Sequence, residues 1–135
     1  MTRFQQKPNP LLSGGIGLSM AAVLLADYYT PLGLAVWVLY LVPLVLSYLT
    51  WSPMVPVGVG VAASIFMVVG LFISPPGVDP SVSLVNRAMG IATACALATF
   101  GYQFISSRLA LRKEEWIRVG QTKLSERMIG EQSLL

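Results

Sequence analysis

Long apolar runs, each followed by a break of proline, serine or glycine, dominate the pattern of this chain. The runs cover residues 11–29, 32–49, 54–73 and 84–105. A helix needs about 20 mostly apolar residues to cross the hydrocarbon core of a bilayer. Breaks such as Thr30-Pro31, Ser52-Pro53 and Ser74-Pro75 separate the runs, and these residue types favour turns. The pattern therefore predicts an all-α integral membrane protein with four transmembrane helices.

Charged residues are confined almost entirely to the two ends of the chain. Between residues 11 and 105, only Asp27, Asp79 and Arg87 carry a charge at neutral pH. Charged residues make up 11% of the whole sequence, whereas a soluble domain usually contains about 25%. The central section could not supply a water-facing surface, so its composition favours lipid as the surrounding solvent.

The basic residues predict how the helices are oriented. Arg3 and Lys7 precede the first run and six basic residues follow the fourth, but only Arg87 lies near the connections after the first and third runs. Cytoplasmic segments are enriched in lysine and arginine. Both termini are therefore expected in the cytoplasm, with the helices in a bacterial inner membrane. The net charge of +3 then reflects topology and attraction to membrane lipids, and no nucleic-acid partner is expected.

Three parts of the chain follow from this organisation: a cytoplasmic segment, 1–10, a transmembrane domain, 11–105, and a cytoplasmic basic helix and tail, 106–135. The tail begins without a helix breaker, so the fourth helix is expected to continue into the cytoplasm as an amphipathic helix. It could instead lie on the membrane surface. The residues expected to contact that surface or a partner protein are Arg108, Arg112, Lys113, Trp116 and Arg118.

Small residues recur at four-residue spacing along three of the predicted helices. Helices in lipid associate through close backbone approach, which small side chains permit. Such stripes could pack the bundle internally. Alternatively, the fourth helix, which also carries Ala88-Ala92-Ala96, could dock another membrane protein. The residues expected in these interfaces are Gly17, Ala21, Gly58, Ala62, Gly90, Ala94 and Ala98.

Pro43 lies inside the second apolar run. Proline lacks an amide donor, and its ring obstructs the carbonyl four residues earlier, here that of Leu39. A kink is therefore expected at Pro43, either as a hinge or simply as a feature that shapes packing.

Asp27 and Arg87 are opposite charges at the predicted outer ends of neighbouring spans, and Asn86 beside Arg87 could add a donor. A charge near hydrocarbon is costly unless it is paired or hydrated. The two residues are therefore expected either to form an ion pair or to remain separately in interfacial water.

Side chains that commonly perform catalysis or bind metals are scarce. The sequence has no histidine and a single cysteine, Cys95, so it lacks the usual haem, zinc and copper ligand sets. It also lacks a nucleophile–base pair, paired carboxylates and a phosphate-binding loop. The chain is therefore not expected to be an enzyme. No cofactor is predicted, although aromatic residues near the membrane interfaces leave room for a bound lipid, quinone or pigment.

The stretch from Asp27 to Pro43 contains a D-x-x-T-P-x-G-x-x-x-x-x-x-Y-x-x-P pattern. In this respect it resembles the first loop and second helix of the membrane-embedded sensory modules of bacterial signalling proteins. The resemblance implies a helical module whose last helix leads to a PAS, histidine-kinase or cyclase domain. It implies no particular ligand and covers about a third of the chain.

Two functions follow from these observations. Taken as complete from Met1 to its polar tail, the chain is expected to be an accessory subunit that stabilises a larger membrane complex, such as a respiratory or photosynthetic one, by packing against its subunits. The alternative is a sensory input module that signals through its C-terminal helix to a cytoplasmic kinase or cyclase partner.

Overall fold

The computed structural model describes residues 9–31, 35–77 and 79–132, and the regular elements within these ranges are all helical. The α-helices are α1, Pro10–Tyr29; α2, Leu41–Leu46; α3, Met54–Ile73; and α4, Pro80–Gln132. The 3₁₀-helices η1, Val36–Tyr40, and η2, Ser47–Leu49, flank α2. Within the described ranges, α1, α3 and α4 are long and apolar enough to cross a membrane, and Val36–Leu49 is a shorter apolar segment. These helices are compatible with membrane insertion.

Local sequence explains where α1 begins and ends. The side chain of Asn9 accepts a hydrogen bond from the Leu11 amide at 3.2 Å, and Pro10 occupies the first turn, where no amide donor is needed. At the other end, Thr30 has extended backbone angles and donates its hydroxyl to the Ala26 carbonyl at 2.5 Å. The following Pro31 favours this extended conformation.

The second apolar run differs from the continuous helix over 32–49 that its sequence predicts. Residues 32–34 lie outside the described ranges, Ala35 is not helical, and the α-helical part is limited to Leu41–Leu46. Pro43 explains the change, because a proline is tolerated in the first turn of an α-helix but obstructs a longer helix that includes Leu39. Instead of a bend in one helix, the segment changes from 3₁₀ to α geometry before Pro43.

The 3₁₀ turns also lengthen the segment. A 3₁₀-helix rises about 2.0 Å per residue and an α-helix about 1.5 Å, so Val36–Leu49 is roughly 25 Å long. That length approaches the roughly 30 Å thickness of the hydrocarbon core.

Helix α4 begins four residues before the predicted start at residue 84 because Asp79 caps it. The Asp79 carboxylate accepts hydrogen bonds from the Ser81 amide at 3.1 Å and the Ser81 hydroxyl at 2.9 Å. Its carbonyl accepts the amides of Val82 and Ser83. These bonds satisfy amides that lack a partner within the helix.

Small residues allow the helices of the core to approach closely. The buried positions of α3 are spaced by four and three residues, and they include Gly60, Ala63 and Gly70. A Cβ atom placed on Gly60 would lie only 2.7 Å from the Cβ atom of Ala98 on α4. Such contact between backbones is the usual mode of helix association in lipid. The rest of the core cluster is formed by Met20, Val23, Tyr40, Leu44, Met67 and Ala94.

The chain divides into two compact units between Ile105 and Ser106. The first contains the core described above. The second is helical as far as Gln132, and the side chains of residues 107–130 are exposed. Its exposed side chains include the basic residues Arg108, Arg112, Lys113 and Arg118 and the apolar residues Trp116, Ile117, Leu124 and Met128.

The Asp79 cap predicts a pH dependence for the start of α4. Hydrogen bonds from the Ser81 amide and hydroxyl lower the pKa of Asp79 from its ordinary value of 3.8. Because the folded-state pKa is lowered, the cap stabilises the helix above the ordinary value, and this contribution is lost as pH falls through the lowered pKa. An NMR titration should give an Asp79 midpoint below 3.8, accompanied by shifts of the Ser81 and Val82 amides. An unshifted midpoint would contradict the cap.

Candidate functional site

A buried ion pair joins the end of α1 to the beginning of α4. Arg87 donates from Nη1 to Asp27 Oδ2 at 2.6 Å and from Nη2 to Asp27 Oδ1 at 2.6 Å. Only 5% of Arg87 and 1% of Asp27 is exposed. The structure therefore brings together the two charges that sequence reasoning singled out, as a pair bonded through both carboxylate oxygens, which is the strong geometry for arginine and carboxylate.

Helix α3 provides the space for this pair. A Cβ atom on Gly70 would lie 2.1 Å from Asp27 Oδ2 and 2.7 Å from Arg87 Nη1. The carboxylate and the guanidinium therefore rest directly against the backbone of α3. Glycine is required here by the close approach of the charged groups rather than by its backbone angles.

Ser74, which follows α3, completes the connection among three helices. Its hydroxyl donates to the backbone carbonyl of Asp27 at 2.9 Å, and its oxygen lies 3.5 Å from Nη2 of Arg87. Its amide donates to the Gly70 carbonyl and ends α3. Arg87 thus lies near the C-terminal ends of α1 and α3, where the helix dipoles favour a cation.

Two further hydroxyl groups are buried in the same bundle. Tyr40 is fully buried and Ser83 is 3% exposed. Neither hydroxyl has a hydrogen-bond partner within the described part of the chain. Ser83 lies four residues before Arg87 on α4, a spacing that places both on one helix face. The bundle therefore combines an ion pair bonded through both carboxylate oxygens with two buried hydroxyls that have unused hydrogen-bonding capacity.

Trp37 holds η1 against α4 beside the pair. Its indole Nε1 donates to Asn86 Oδ1 at 2.8 Å. Its ring also covers Gly90, where an added Cβ atom would lie 2.8 Å from Cγ of Trp37. The segment before Pro43 is thus attached to the turn of α4 that carries Arg87.

The small residues expected at helix interfaces fall into two groups. Gly90, Ala94 and Ala98 are buried inside the bundle. Gly17, Ala21, Gly58 and Ala62 instead line an open apolar groove between α1 and α3, with a volume of about 430 Å³. Ala88, Ala92 and Ala96, on the neighbouring face of α4, are exposed, as is Cys95.

Sequence reasoning missed Gly70, Ser74, Tyr40 and Ser83 as members of this site. The four-residue spacings Gly70–Ser74 and Ser83–Arg87 place each pair on one helix face, so they were the available signal. Serine and glycine are common in helices of this kind, however. Only the location of Asp27 in the folded chain distinguishes these two spacings from similar ones elsewhere in the sequence. The described residues contain no group of three or more histidine, cysteine, aspartate or glutamate side chains arranged to hold a metal ion.

Comparison with known proteins gives no relative for this chain. No protein-family model, no curated protein and no solved structure matches it.

The Gly70 contact predicts a difference between two glycines of α3. Gly70→Ala should be strongly destabilising, because its methyl group would displace the ion pair. Gly58→Ala is the matched control, since nothing lies within 4 Å of a Cβ atom there and alanine favours a helix more than glycine. Reversible unfolding in mild detergent micelles should show a large decrease in the free energy of unfolding for Gly70→Ala and no decrease for Gly58→Ala. Equal effects would mean that the pair does not rest against Gly70.

Proposed function

We propose that this chain is a membrane sensory input module in which the Asp27–Arg87 site controls helix α4. The buried ion pair itself carries this proposal. A buried pair contributes little more stability than well-packed apolar residues, and ionisable groups within membrane helices usually have a functional role. Arg87 belongs to α4, the helix that also contains residues 106–132.

The sensory-module pattern supports this proposal because three of its residues are buried in the same bundle as the ion pair. The pattern's aspartate is Asp27 itself, in the ion pair. Its tyrosine and second proline are Tyr40 and Pro43, both fully buried. A pattern that only marked a turn and a lipid-facing helix would not need these three positions to be buried.

The second unit provides a surface for an output partner. Its exposed helix combines basic residues with large apolar side chains, including Trp116, which is 75% exposed, and Leu124, which is 65% exposed. Apolar groups of this size in water favour association with another surface. We propose that a cytoplasmic kinase or cyclase domain covers them and that Arg112, Lys113 and Arg118 orient it or contact lipid headgroups.

The proposed topology is four spans in a bacterial inner membrane with both termini in the cytoplasm. The distribution of basic residues supports it, as does the roughly 25 Å length of Val36–Leu49. If that segment does not cross, α1, α3 and α4 make three spans, and the termini lie on opposite sides.

The open groove favours a second candidate function, that of an accessory subunit in a larger membrane complex. Its walls include Gly17 and Ala21 on α1 and Gly58 and Ala62 on α3. Small residues on both walls would let a helix of another subunit approach the backbones closely. The two functions thus use different surfaces of the chain.

The topology can be tested with reporter fusions. A reporter that is active only in the cytoplasm should work at the N-terminus and after Gly130, and it should fail after Gly77, in the connection between α3 and α4. An inactive reporter after Gly130, together with an active one at the N-terminus, would show that Val36–Leu49 does not cross the membrane.

Capture of the full chain from native membranes in mild detergent, followed by mass spectrometry, separates the two functions. A sensory module should retain a kinase or cyclase. That partner should be lost from the Trp116→Ala/Leu124→Ala variant and kept by the Gly17→Leu/Gly58→Leu variant. An accessory subunit should show the reverse pattern with a multi-subunit complex. Capture of such a complex that only the groove variant abolishes would overturn the sensory proposal.

A further inference from the structure

Tyr40 belongs to η1, the segment that Trp37 attaches to α4 beside Arg87, but its hydroxyl takes no part in the ion pair. The ring belongs to the core cluster that contains Val23 and Met67. Val23 is one turn before Asp27 on α1, and Met67 is one turn before Gly70 on α3.

The Ser83 hydroxyl differs from several other helical hydroxyls of this chain in its hydrogen bonding. Ser64, Thr93 and Thr99 each donate to the carbonyl four residues earlier in their helix. For Ser83 that carbonyl belongs to Asp79, and it already accepts the amides of Val82 and Ser83. The Ser83 hydroxyl is left without a partner among the described residues.

The hydrogen-bonding capacity of these groups is complementary to that of the ion pair. A carboxylate has about four acceptor sites, and Arg87 uses one on each oxygen of Asp27. The Tyr40 hydroxyl can donate to a remaining site. The Ser83 hydroxyl oxygen can accept from the guanidinium one turn further along α4. The buried interior therefore contains, for each charged group, a second group of the right chemistry.

We infer that the cluster is a two-position device in which Tyr40 is the alternative partner of Asp27. In the arrangement described, Asp27 is bound to Arg87 on α4. In the other arrangement, Tyr40 on η1 donates to the Asp27 carboxylate, and Arg87 is held by the hydroxyls of Ser83 and Ser74. Both arrangements keep the buried charges hydrogen-bonded, as a low-dielectric interior requires.

The exchange changes which helix is attached to α1. With Arg87 bound, α1 is attached to α4, and with Tyr40 bound, α1 is attached to η1. Because such an element has two discrete arrangements, a small displacement of one side chain can change which helices are in contact. The inference concerns the energetics of the bundle, so it stands or falls independently of whether the chain is a sensor or an accessory subunit.

A double-mutant cycle on the full chain tests the device. In the native background, Tyr40→Phe should leave the unfolding equilibrium constant in mild detergent micelles within about threefold of its native value, because the hydroxyl it removes is unbonded. In an Arg87→Met background, Tyr40 becomes the partner of Asp27. There, Tyr40→Phe should raise the unfolding constant by about tenfold or more, as expected for losing a hydrogen bond to a charged group. An equal effect in both backgrounds would overturn the inference.

Tyr48 supplies the matched control. Its hydroxyl donates to the carbonyl of Leu97, well away from the ion pair along α4. Tyr48→Phe should therefore have the same effect in both backgrounds, and only Tyr40→Phe should depend on Arg87.

Arg87→Lys keeps the test decisive if Arg87→Met does not fold. A lysine ammonium is compact and lacks the planar fork that binds both carboxylate oxygens, so one oxygen becomes free for Tyr40. In this background, Tyr40→Phe should raise the unfolding constant by a factor about three times or more larger than in the native background. This loss is intermediate between the two cases above. No increase in this background would refute Tyr40 as the alternative partner.

Discussion

A carboxylate and a guanidinium buried in an apolar bundle must satisfy each other, and this requirement fixes the relative positions of three helices. Asp27 is near the end of α1, Arg87 is near the start of α4, and both rest against Gly70 of α3. Breaking such a pair by removing one partner typically costs about 3–5 kcal/mol. Separating the three helices at this point would therefore leave a buried charge without its partner, whereas apolar contacts such as that of Gly60 with Ala98 carry no such penalty.

The same requirement explains which small residues face inwards. Asp27 shares the buried face of α1 with Ile16, Met20 and Val23. Gly17 and Ala21 each come one residue later, so they are rotated by about 100° from that face and line the groove. On α4, Gly90, Ala94 and Ala98 follow Arg87 at intervals of three and four residues and are buried with it. Ala88 comes one residue after Arg87, Ala92 and Ala96 come two residues after Gly90 and Ala94, and all three are exposed.

Sequence reasoning could locate the long helices because their signals are local. The bounds of α3 equal those of the third apolar run, and α1 begins one residue before the first. It could also name Asp27 and Arg87 as partners, since few charges lie in the central section. It could not choose among the small-residue stripes, because all have the same spacing and their orientation depends on where two distant charges meet.

The second apolar run shows a different limit of sequence reasoning. Its composition predicted a helix over 32–49, but composition does not distinguish α from 3₁₀ geometry. The choice depends on Pro43, and on side chains that hold η1 in place, such as Trp37 bonded to Asn86. That tertiary bond joins residues far apart in the sequence, so no local window contains it.

The position of Tyr40 connects this irregular segment with the ion pair. Helix η1 ends at Tyr40, and the α-helical turn that contains Pro43 begins at the next residue. The hydroxyl therefore lies in the part of the bundle whose backbone geometry already changes, and a small adjustment there disrupts fewer regular hydrogen bonds than it would in α1 or α3. A rigid pair beside a less regular segment is the arrangement in which one buried carboxylate can exchange partners. The fold thus attaches its least regular segment to the turn of α4 that carries this salt bridge.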